Sequence, residues 1–137
     1  MKNFDLIKQY KIFEKDINKK ILKVLSSGSY ILGENVKSFE NNARKYLATR
    51  YAVSCNSGTD ALVMSLRALN IGDNDQVITT PFTYFATSEA ISLVGATPIF
   101  ADINPHTFNI NPKKIEKLIS KKTKAILSVN LFGQACE

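Results

Sequence analysis

Two short stretches hold side chains with chemistry in them. In SCNSGTDALVMSLRAL (54–69), four small polar residues, Asn56, Ser57, Gly58 and Thr59, separate an apolar approach from an unbroken helical run. A helix that starts this way offers unpaired backbone amides at the positive end of its dipole. Gly58 lets an anion approach the backbone closely and Thr59 adds a hydroxyl, so a phosphate group fits there. The same residues also read as a capping box, with Ser57 at the N-cap and Asp60 reaching back from three positions on. Both readings can hold at once. The second stretch, VITTPFTYFATSEAI (77–91), sets Thr83 and Tyr84 about 25 residues beyond that turn.

The competing patterns fail. Gly28 to Gly33 has the outer spacing of a phosphate-binding P-loop. Glu34 and Asn35 stand where its lysine and hydroxyl residue belong, and no strand precedes it. The dinucleotide fingerprint G-x-G-x-x-G is absent, which counts against a nicotinamide-binding domain. Cys55 and Cys136 give neither a disulfide framework nor a metal-ligand spacing, so a reducing cytoplasm and no bound metal are expected. The single histidine, His106, follows Pro105 in a turn-like stretch and reads as a surface residue.

With 137 residues the chain is long enough for one domain with a real core. Hydrophobic residues make up 45% and charged residues 22%, an ordinary globular composition. No apolar run approaches the roughly 20 residues of a membrane span, and MKNFDLIKQYK lacks the apolar centre of a signal peptide. The net charge of +6 is concentrated in two places. Residues 1–25 hold seven lysines and three acids, and residues 113–124 hold six lysines and one acid. Both stretches have helical apolar spacing, so these lysines read as solvated helix faces. Few arginines and no interleaved aromatics accompany them, and nucleic acid is not an expected partner.

The elements that must position the two stretches follow from periodicity. Phe13, Ile17, Ile21 and Leu25 recur every four residues and predict an amphipathic helix. After a break at Ser26 to Gly33, Val36, Phe39, Ala43, Tyr46 and Leu47 mark a second helix. Tyr51 to Cys55 reads as a short strand leading into the helix that begins after Ser57. That helix is expected to stop at Asn70-Ile71-Gly72, with Gly72 as a left-handed cap. Strands are expected at Gln76–Thr80, Thr97–Ile103 and Lys124–Leu131, the last buried on both faces. A helix over Tyr84–Val94, ended by Gly95, and a short helix opened by Asn111-Pro112 lie between them. Strand and helix alternate at βαβ spacing, which predicts an α/β fold with a mostly parallel sheet flanked by helices.

Several of these motifs, in this order, resemble the DegT/DnrJ/EryC1/StrS family of sugar aminotransferases, which use pyridoxal 5'-phosphate (PLP). SGTDAL and TPFTYFAT carry the resemblance most directly. SGSYILGENVKSFE is similar to the family's early loop and helix, and GATPIFADINPHTFNINPKKIEKLISKKTKAIL to its successive strand–helix units. VNLFGQ is similar to a signature usually written with histidine where this chain has Asn130. The resemblance implies a fold-type I, aspartate-aminotransferase-like large domain. It implies that Gly58, Thr59 and Asp60 hold the cofactor phosphate and that Tyr84 stacks on the pyridine ring. It also implies a keto-sugar nucleotide as substrate, an amino donor such as glutamate, and a homodimer.

In the family the Schiff-base lysine and the acid that protonates the pyridine nitrogen lie further along than Glu137, and no lysine here matches that motif. Residues 1–137 are therefore expected to be an incomplete PLP-binding large domain. In it, 1–50 would supply N-terminal helices and an active-site loop, and 51–137 the strand–helix repeats. No catalytic residue is assigned within the chain. Alone it is expected to be inactive, as the N-terminal part of an aminotransferase of amino-sugar or polysaccharide biosynthesis. Two alternatives stand beside that reading: a PLP-dependent sugar dehydratase with histidine in place of the lysine, and a non-catalytic sensor-type or inert product.

Overall fold

The computed structural model describes residues 5–137; the first four residues, part of the N-terminal stretch read above, lie outside them. The chain divides into two compact units, Met1–Ser54 and Cys55–Glu137.

The first unit contains two helices. Helix α1 (Leu6–Ser27) starts where Asp5 accepts the Lys8 N–H and ends at Gly28 in the left-handed conformation, φ 67°. Helix α2 (Glu34–Tyr46) follows the break. The predicted stripe of Phe13, Ile17, Ile21 and Leu25 is present on α1, but all four side chains are exposed. One polar contact orders the end of this unit. A single carboxylate oxygen of Glu40 accepts from both the N–H of Ser54 (2.9 Å) and its hydroxyl (2.7 Å).

Those two bonds, the backbone one foremost, hold the Glu40 carboxyl below its ordinary value. The folded pKa is depressed, so the contact stabilises the fold above the ordinary carboxylate range. It is lost as pH falls through the lowered value. Protection of the Ser54 amide from hydrogen exchange will accordingly decline on acidification, and Glu40→Gln will flatten that decline.

The second unit is α/β. Helix α3 (Gly58–Ala68), strand β1 (Gln76–Thr79), helix α4 (Ala86–Leu93), strand β2 (Thr97–Phe100), helix α5 (Pro112–Glu116) and strand β3 (Thr123–Ile126) follow in order. The strands form one parallel sheet in the order β2-β1-β3. Pro98 stands on β2 in register with Val77.

Successive residues of β1 point to opposite faces, and each face has its own core. Val77 packs with Leu66 of α3, Ala90 and Ile91 of α4, Ile71 and Ala96. Ile78 packs on the other face with Ala101, Ile110 and Ile115 of α5. Helices therefore cover both faces of the central strand, as a parallel sheet requires. Asn111 caps α5 by accepting the Lys113 N–H, with Pro112 in the first turn, as its sequence indicates. Gly95 follows α4 with φ 86°, also as read.

Four expectations need correction. Residues 51–55 are not a strand, because a strand exists only as part of a ladder and none of the three strands pairs with them. Helix α3 is ended by Asn70 at φ 55° rather than by Gly72. Asparagine is the next best left-handed residue after glycine, and the following Ile71 N–H returns to Leu66 O at 3.0 Å. Strand β2 stops at Phe100, and Ile103 instead makes an isolated antiparallel bridge with Ile110. Strand β3 is four residues long and lies at a sheet edge among the described residues. There its residues alternate between half-buried Thr123 and Ala125 and exposed Lys124 and Ile126, instead of being buried on both faces.

Candidate functional site

Helix α3 begins at Gly58, with Ser57 extended at its N-cap. The Ser57 hydroxyl accepts the Asp60 N–H (3.1 Å) and donates to the Asp60 carboxylate (2.8 Å). This is a capping box in which the acidic arm closes on the serine hydroxyl rather than on its backbone N–H. Asp60 is thus committed to ordering the turn through both of its polar groups. Among the described residues, the amides of Gly58 and Thr59 donate to no protein acceptor. A Cβ placed on Gly58 would meet no heavy atom within 4 Å. A bare helix start with open space beside it and two free donors is a place for an anion.

Helix α3 precedes β1 in the chain and shares a core with it through Leu66 and Val77. The segment after β1 leaves from the carboxyl edge of the sheet. There the Thr80 hydroxyl accepts the Phe82 N–H (3.2 Å), and the Thr83 and Thr87 hydroxyls meet at 3.4 Å. Tyr84 is 81% exposed. It helps line an open cavity of about 340 Å³ with Thr80, Pro81, Thr83, Phe85 and Phe100. A ring so exposed, held at the start of a helix, has its face free for a planar ligand. Gly58, Thr59 and Asp60 thus open α3, and Tyr84 stands two residues before α4; the two helices pack together.

The other candidates separate from this edge. His106 is exposed in its turn, its N–H on the Asn104 side chain (2.9 Å). Both cysteines are free; Cys55 is exposed and donates to Ser57 O (3.3 Å). Among the described residues, no group of three or more His, Cys, Asp or Glu could hold a metal ion. No helix among them is long and apolar enough to cross a membrane.

Sequence reasoning passes over two residues. One is Glu40. The other is Asn109, 4% exposed, whose amide donates to the carbonyls of Gln134 (3.1 Å) and Ala135 (2.9 Å). A polar residue inside the apolar run FNI was the available signal.

Residues 11–137 match the DegT/DnrJ/EryC1/StrS aminotransferase family. A "pleiotropic regulatory protein" of Geobacillus stearothermophilus is 41% identical over 133 residues, which are 97% of this chain and 36% of that protein. The UDP-2-acetamido-2-deoxy-3-oxo-D-glucuronate aminotransferase of Pseudomonas aeruginosa is 41% identical over 133 residues, 97% of this chain and 37% of that one. The crystal structure of NtdA from Bacillus subtilis with bound cofactor PMP superposes with a TM-score of 0.87 at 39% identity, over 90% of this chain and 28% of that one. The chain thus spans little more than a third of the length of these two curated relatives.

Proposed function

We propose, since this chain belongs to the DegT/DnrJ/EryC1/StrS aminotransferase family, that the protein carrying it is a PLP-dependent aminotransferase that aminates a keto-sugar nucleotide. The chain would supply the phosphate- and ring-holding part of an incomplete large domain, in a cytoplasmic homodimer with glutamate as amino donor. The observation that carries the reading is the bare start of α3: two amides unpartnered among the described residues, with none of those residues within 4 Å of a Cβ at Gly58.

The residues present fit the cofactor. Gly58 and Thr59 would donate backbone N–H groups to its phosphate, and the Thr59 hydroxyl would add a charge-assisted bond. Asp60 would keep Ser57 turned away from those amides, so that they stay free. Tyr84 would stack on the pyridine ring and fix its tilt. When bound, PLP supplies an electron sink for the charge left when a C–H bond beside an amino group breaks.

A non-catalytic, sensor-type role is the second reading, favoured by the identity to the Geobacillus regulatory protein. Incubating the full-length protein with a keto-sugar nucleotide, glutamate and PLP separates the cases. PLP-dependent formation of the amino sugar is the expected result. Loss of water from the sugar without amination would identify a dehydratase, and PLP binding without conversion a sensor.

A further inference from the structure

The strand order β2-β1-β3 contains a reversal of direction. From β1 the chain steps to one side to form β2, then crosses back past β1 to form β3. In open parallel sheets the ligand crevice lies outside the carboxyl ends of the strands at such a reversal, here between β1 and β3. The strands are tied there: the Thr79 hydroxyl donates to Leu127 O (2.8 Å), and the Leu127 N–H to Ile78 O (2.8 Å). The Thr80–Tyr84 segment leaves the carboxyl end of β1 there, and residues 127–136 leave that of β3.

That second segment is held in one shape. Asn130 accepts the Cys136 N–H (3.0 Å), and the Cys136 thiol donates to Val129 O (3.1 Å). Between these bonds Phe132 adopts φ 53° and Gly133 φ 86°, and the Phe132 side chain is 96% exposed. A bulky residue in the left-handed region is strained, and it persists only where its surroundings over-determine it. The surroundings are the amide of Asn109, which grips the carbonyls of Gln134 and Ala135 from inside the core. Its own Oδ1 is buried without a partner among the described residues. Turning the amide over would set oxygen against two carbonyl oxygens, so its orientation is fixed.

We infer that residues 127–136 form a wall of the ligand crevice and that Asn109 is the positioning residue that holds this wall beside β1. The inference rests on the cofactor reading above. Asn130 then stands within that wall, and its bond to Cys136 is what it contributes there.

Labelling of Cys136 in the full-length protein, followed by mass spectrometry, tests it. Saturating PLP will slow labelling of Cys136 several-fold, and pyridoxal will do the same, because the wall faces the ring rather than the phosphate. In Asn109→Ala the thiol will react faster without ligand, and PLP and pyridoxal affinity will fall by the same factor, about tenfold. Asn130→Ala, at an exposed residue whose loss leaves the core intact, will release the Cys136 brace and act in the same direction. Cys136 labelling indifferent to both ligands, while PLP still binds and Thr59→Ala still weakens it, would overturn the inference and leave the cofactor reading standing. If PLP does not bind the unaltered protein, both fail together. A lowered melting temperature in Asn109→Ala with unchanged ligand affinity would reduce Asn109 to a core residue and overturn its assigned role.

Discussion

Thr59→Ala in the full-length protein will weaken PLP about tenfold to a hundredfold and leave free pyridoxal nearly untouched. The removed hydroxyl would donate to a dianionic phosphate, and a charge-assisted bond of that kind is worth roughly 1.5–3 kcal/mol. Pyridoxal has no phosphate and so does not report on the turn. Gly58→Leu will have the larger effect. The position has open space around its Cβ and no left-handed φ, so a side chain there costs the fold little. It would instead fill the volume through which an anion reaches the amides. Tyr84→Ala should weaken PLP and pyridoxal alike, since the ring is common to both. Titrating the three variants with both ligands provides the check. Equal losses of PLP and pyridoxal at Thr59 would mean that the start of α3 is only a capped helix.

Ile78→Ala will be the most damaging of the simple truncations in the second unit. Ile78 is fully buried on the central strand, among Ala101, Ile110 and Ile115. Removing its branched side chain leaves a cavity that the strands, tied on both sides, cannot close. The expected cost is about 2–5 kcal/mol, against a total stability of about 5–15 kcal/mol for an ordinary domain. Ile126→Ala, at a half-exposed residue of β3, should cost under about 1 kcal/mol. Denaturant midpoints for the two variants decide the matter. Equal shifts would mean that β1 is not the centre of the fold.

What could be read from the chain alone was whatever depends on neighbours in sequence. The capping residue and proline at Asn111-Pro112, the glycine that ends α4 and the Ser57–Asp60 box act within a few positions, and each is found in the structure. What could not be read depends on distant partners. Residues 51–55 have the composition of a strand but no ladder to join. KAILSVNL is apolar enough for a buried strand, yet β3 covers only Thr123–Ile126, and its residues alternate between half-buried and exposed according to what packs on each face. Gly72 and Asn70 compete for one left-handed position, and sequence preference picks the wrong one. The bare turn of the candidate site was legible because amides and a hydroxyl at a helix start are a local pattern. Asn109 was not, since its partners lie 25 and 26 residues away.

Pro98 gives the sheet a direction. The N–H groups of Thr97 and Ala101 turn inward to Asp75 O and Thr79 O. By alternation, residue 98 faces the outer edge of β2, and a proline there has no hydrogen to offer. A strand laid beyond β2 would meet a missing rung at the middle of its ladder, whereas one laid beyond β3 would meet none. Lateral growth is therefore one-sided. Any fourth strand, whether from the same polypeptide or from another, has its acceptable berth beside Thr123–Ile126.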